Sequence, residues 1–125
     1  MKKILLLIVI IGFLFTSPID VKGNEFSWYS HKILKVTIVT EDIYYEWEYE
    51  NPDSFEYEEG NTIVREQEAK ESFKQILTYF DLTRDTITNE QISSLEKNGY
   101  ESIVRAVVKR VDRNDHFQTW IWNRN

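Results

Sequence analysis

The 125-residue chain contains no cysteine. That absence excludes disulfides, so the fold has to be held by its core alone. It also excludes a lipid-modified cysteine after an export signal, and any thiol nucleophile. Histidine is nearly as scarce. His31 falls in an N-terminal lead-in and His116 beside a turn, and neither sits in a nucleophile motif. There is no metalloprotease helix, no nucleophile elbow and no phosphate loop. The sequence therefore points to no catalytic residue, no metal ligand and no cofactor, and leans away from an enzyme.

A third absence is local. From Val36 to Val64 there is no Lys or Arg, and nine of the 19 residues in Glu41–Glu59 are acidic. The full chain has net charge −6. Such a surface repels nucleic acid and anionic lipid, which excludes both as partners of the folded part. From Lys97 to the end the balance reverses, with six basic and three acidic residues. The two stretches are expected in one sheet, as an acidic strand region and a basic hairpin.

What is present begins with an export signal. Met1-Lys2-Lys3 is a basic start, Ile4 to Phe15 is apolar apart from Gly12, and Thr16-Ser17-Pro18 ends the run. This is the three-part pattern of a secretory signal peptide over residues 1–23, with cleavage expected at Gly23/Asn24. Twelve helical residues reach about 18 Å, short of the ~30 Å hydrocarbon core. The alternative is an uncleaved membrane anchor over residues 4–19, extended by tilt or bilayer thinning. Cleavage would remove Lys2, Lys3, Lys22 and Asp20, leaving 12 basic and 20 acidic residues in one domain over 24–125, net −8. A secreted protein without cysteine suits a bacterial exporter better than a disulfide-rich animal secretion.

Within that domain the apolar parity predicts the first hairpin. Leu34, Val36 and Ile38 are even, whereas Tyr45, Trp47 and Tyr49 are odd. One straight strand would put the two sets on opposite faces. A turn at Thr40–Ile43 pairs Ile38 with Tyr45, Val36 with Trp47 and Leu34 with Tyr49, and sets Lys35 opposite Glu48 on the other face. Asn51-Pro52-Asp53 ends the second strand. Phe55–Tyr57 and Thr62–Val64 read as a weaker hairpin or a bent strand. Phe73, Ile76, Leu77 and Phe80 form the buried stripe of a helix over Glu66–Phe80, with Ala69 extending it and Glu66–Lys70 as a supporting pair. Thr88 and Gln91 form a capping box for a second helix with Ile92 and Leu95 inward, and Gly99 stops it. Ile103–Val111 reads as a central strand. After an Asp112–Asp115 turn, His116–Trp122 is its partner, with Val111 opposite either His116 or Phe117. The order β-β-(β)-α-α-β-β is a two-layer α+β domain: a mainly antiparallel sheet of four to five strands with two helices on one face.

Two constellations are candidate binding surfaces. Glu46, Glu48 and Glu50 project from one strand face at the period of two, beside Tyr44 and ahead of Asp53, Glu56, Glu58 and Glu59. A straight strand face spaces carboxylates about 7 Å apart and does not converge oxygens on calcium, so it reads as a solvated acidic edge or a surface for a basic partner. Trp120 and Trp122 share one face of the last strand. They are core if that face meets the helices, and an exposed patch if it does not. The functional expectation is a secreted, non-catalytic binding domain for a basic protein or envelope component. The membrane is a partner only if the N-terminal segment stays uncleaved. The alternatives are a secreted inhibitor or immunity-type protein, and a small carboxylate-dependent hydrolase of a wall polymer.

Overall fold

The computed structural model describes residues 26–125; the proposed signal peptide and its cleavage point lie outside them. A 3₁₀ turn at Trp28–Ser30 leads into β1 (His31–Thr40), β2 (Tyr44–Glu50), β3 (Ser54–Glu59) and β4 (Thr62–Arg65). Helices α1 (Glu66–Leu77) and α2 (Asn89–Lys97) follow, then β5 (Ile103–Asp112) and β6 (Phe117–Asn123). The strands form one six-stranded antiparallel sheet in the order β4-β3-β2-β1-β5-β6. The α+β class is as expected. The sheet exceeds the expected four to five strands because 55–64 forms a true two-strand hairpin. Its two-residue loop opens on Gly60, whose φ of 59° suits a residue without a Cβ.

The first hairpin has the register that the parity predicts: Leu34 opposite Tyr49, Val36 opposite Trp47, and Ile38 opposite Tyr45. Thr40 closes it, its Oγ1 accepting from the backbone N–H of Asp42 and Ile43 at 3.2 and 2.9 Å. Leu34, Val36, Ile38, Trp47 and Tyr49 belong to one buried cluster with Ala69, Phe73, Ile76, Ile92 and Leu95 from the helices. The same cluster takes Ala106, Val108 and Trp120 from β5 and β6, so both helices cover one face of the sheet. At about 25 cal/mol per Å² of apolar surface, this layer is the main source of stability in a chain without crosslinks.

Some local expectations change and others hold. Helix α1 ends at Leu77, and Thr78–Phe80 tighten into i→i+3 bonds. Lys70 does not pair with Glu66; its ammonium lies over the Phe55 ring, 5.5 Å from the centroid. The Thr88–Gln91 capping box forms in both directions at 3.1 Å. At the other end of α2, Gly99 (φ 111°) lets the Tyr100 N–H reach the Leu95 carbonyl at 3.2 Å. From Phe26 on, the N-terminal lead-in packs on the core. Trp28 is buried among Phe26, Tyr49, Phe55 and Phe73, with ring centroids 4.8 to 5.2 Å apart.

The last hairpin resolves its open register in favour of Val111 opposite Phe117. The turn decides it. Asp112 Oδ1 accepts from the N–H of Asn114 and His116 at 2.8 and 3.0 Å, which holds His116 in the turn. Those N–H groups, that of His116 above all, hold the Asp112 carboxyl below the usual carboxylate range.

Candidate functional site

Side chains alternate across a strand, so every strand whose inner residues meet the helices turns its other residues to a second face. Among the described residues no helix packs on that open face. The registers lay its residues out in rows. One row runs Arg65, Glu56, Glu48, Lys35, Lys109, Thr119 from β4 to β6. The next runs Ile63, Glu58, Glu46, Thr37, Val107, Ile121. A third runs Ser54, Glu50, Ile33, Val111, Phe117. The face thus divides into an acidic part on β2 and β3, a central strip with lysines, and an apolar part on β5 and β6.

The acidic part contains Glu46, Glu48 and Glu50, with Tyr44 at its end, 44 % exposed. Glu56 and Glu58 join them, and the registers put Glu46 directly opposite Glu58 and Glu48 directly opposite Glu56. Like charges in that position repel and weaken the strand pair. Three contacts offset part of the repulsion. Lys35 reaches Glu46 at 3.2 Å, Arg65 reaches Glu56 at 3.1 Å, and the Tyr44 hydroxyl donates to Glu46 at 2.7 Å. That bond to Glu46, with some burial, pushes the Tyr44 phenol up.

Lys35 stands opposite Glu48 as the parity requires, but its ammonium pairs diagonally with Glu46. Glu48 keeps three carboxylate neighbours. Burial, then the charges of Glu46, Glu50 and Glu56 working against Lys35, push its carboxyl above the ordinary value. The alternation of Phe55 and Tyr57 already signalled that Glu56 and Glu58 share a face. Their position opposite Glu48 and Glu46 follows only once β3 folds back on β2.

The two tryptophans lie on the other face. Trp120 is 2 % exposed, within the core, and its indole N–H donates to the Arg84 carbonyl at 2.6 Å. Trp122 packs against the same core and donates to Asn89 Oδ1 at 2.8 Å. Arg110 and Arg124 lie over their rings at 5.7 and 5.0 Å. The pair shares the helix-covered face, so Trp120 offers a ligand no accessible ring. Both instead tie down the 84–89 segment between the helices.

The geometry suits broad contact more than chemistry on a small molecule. A depression of about 480 Å³ at one end of the face is lined by Lys32, Ile33, Glu50, Asn51 and Arg113; Glu48 is not on its wall. Among the described residues no three His, Asp or Glu side chains converge as ligands for a cation. The described residues also include no helix long and apolar enough to cross a membrane. Compared with protein-family models, curated proteins and solved structures, the chain matches none.

Proposed function

We propose that this is an exported, non-catalytic binding domain whose acidic open sheet face receives a basic protein surface outside the cytoplasm. The observation that carries the reading is the double carboxylate ladder, Glu46–Glu58 and Glu48–Glu56, on a face that no described helix covers. A ladder of like charges costs the sheet stability, and a cationic partner would relieve it. The position of Glu48 off the wall of the one depression described on this face, its half-burial and the flanking Tyr44 favour a protein surface over a small ligand, which takes a concave pocket. Attraction of this kind speeds encounter and weakens as salt rises.

The test compares two variants of equal charge in capture from cell-envelope extracts. Replacing Glu46, Glu48, Glu50, Glu56 and Glu58 by Gln abolishes capture. Replacing the exposed Glu66, Glu68, Glu71, Glu90 and Glu101 by Gln leaves it intact. Equal capture by both variants would show that only net charge matters, and the site would fall. Export is tested separately: mass spectrometry of protein from the culture medium finds an N-terminus at Asn24.

A further inference from the structure

The sheet has two edges, and they differ in how they are protected. At one end β4 has only four residues, carries Arg65 and runs straight into α1. At the other end β6 has seven residues, Phe-Gln-Thr-Trp-Ile-Trp-Asn, with no charge and no proline. Its pairing with β5 is continuous, without a bulge. Edge strands of soluble proteins are normally blunted by one of these devices, and β6 has none. Phe117 and Ile121 are 82 % and 51 % exposed on its open-face side.

The phase of the hydrogen bonds shows which groups the edge presents. The Asp112 N–H donates to the His116 carbonyl, and the Arg124 N–H to the Val104 carbonyl, at 3.1 and 3.0 Å. In an antiparallel pair such bonds recur at every second residue. Gln118, Trp120 and Trp122 therefore bond to β5, whereas Phe117, Thr119, Ile121 and Asn123 direct N–H and C=O outward. Among the described residues nothing pairs with that edge.

We propose that the outer edge of β6 pairs antiparallel with β6 of a second copy of this chain, across a two-fold axis at Thr119. Only the outward residues can bond across the axis, which limits the register to centres on or between them. Centred on Thr119, Phe117 of each copy stands opposite Ile121 of the other, so the two most exposed apolar side chains of β6 cover each other twice. Centred one residue later, Phe117 meets Asn123 and Ile121 meets Thr119, a poorer apolar match.

Charge permits the union. Seven strand spacings separate β2 from its counterpart, about 34 Å, several times the Debye length of about 8 Å at physiological salt. The blunt β4 edge keeps the assembly closed as a pair and prevents it from growing as a filament. The result is a continuous twelve-stranded sheet.

The absence of cysteine supplies a clean probe. In the full chain, Thr119→Cys places the only thiol of each copy at the axis, about 5.5 Å from its counterpart by Cα. A short bifunctional thiol reagent links it into a covalent dimer. Asn123→Cys, about 27 Å from its counterpart by strand rise, does not link. Thr119→Pro removes an outward N–H without touching a bond to β5 and weakens self-association at least tenfold by sedimentation equilibrium. Native circular dichroism in that variant shows that the domain is still folded. Phe117→Lys, which leaves the backbone unchanged, has the same effect on association. A parent chain that stays monomeric up to about 100 µM, or Thr119→Cys and Asn123→Cys linking equally, would overturn the proposal.

Discussion

The two faces of the sheet are built from the same strands, one residue out of phase, yet they answer to different demands. On the covered face Val36, Trp47, Tyr49 and Val108 are buried to the last few square ångströms and touch the helices or each other. On the open face their immediate neighbours Lys35, Glu46, Glu48 and Lys109 remain partly in water, and two carboxylate pairs face each other at close range. One face is optimised for folding. The other carries like-charge repulsion, which the cationic partner proposed above would relieve.

The largest expected effect tests the covered face. Trp47→Ala removes a fully buried indole and its 2.9 Å bond to Ser72, and costs about 3–5 kcal/mol in denaturant unfolding. Lys109→Ala, on the open face, stays within about 0.5 kcal/mol. Comparable losses at both sites would erase the distinction between the faces. Next in size is the helix layer. Thr88→Ala removes the capping box of α2 and costs about 1 kcal/mol, whereas Thr88→Asn, which can still cap, recovers most of it in the same measurement.

The open face predicts the opposite sign. Glu48→Gln raises stability at pH 7 by about 0.2–1 kcal/mol, since it removes one member of a like-charged pair. The pH dependence follows from linkage. The folded carboxyl lies above its unfolded value of 4.5, so the favourable contribution is full below that pH. It is lost as pH rises through the folded value. Thermal melts of Glu48→Gln lack this component, and a destabilised Glu48→Gln would mean that the ladder is structural.

The smallest effect at pH 7 belongs to His31. It is buried against Phe26, ring centroids 5.0 Å apart and planes 3° from parallel, and its Nδ1 finds no partner among the described residues. Burial, and then Arg110, push its imidazole below 6.5, with Asp112 opposing. The unfolded chain therefore binds the proton first, and stability falls as pH drops below 6.5 towards the folded value. In His31→Phe the melting temperature loses that part of its slope between pH 7 and 5.

Much of the covered face was legible before folding. The opposed parities of Leu34–Ile38 and Tyr45–Tyr49 required a turn between them, and period two does not allow a half-shift. Thr88 and Gln91 announced a helix start because their spacing alone satisfies two backbone donors. Trp28 was not legible: a lone aromatic in a polar lead-in has no period, and its burial depends on Tyr49, Phe55 and Phe73 arriving from three other elements. Of the candidate site, Glu46, Glu48 and Glu50 were visible as a strand face beside Tyr44. The fate of Trp120 and Trp122 was not, because the β6 register rests on which N–H groups Asp112 collects in a five-residue turn.

The amino-acid sequence by itself determined which residues alternate, which positions cap and stop the helices, and that this chain must fold without crosslinks. These are local consequences of backbone geometry and side-chain chemistry. Only the tertiary structure decided that β1 lies between β2 and β5, that Glu56 and Glu58 complete the acidic ladder, and that β6 is left at an unprotected edge. The β1–β5 neighbours lie tens of residues apart, as Val36 and Val108 do, and no short-range pattern encodes a contact whose strength comes from burial shared across the whole sheet.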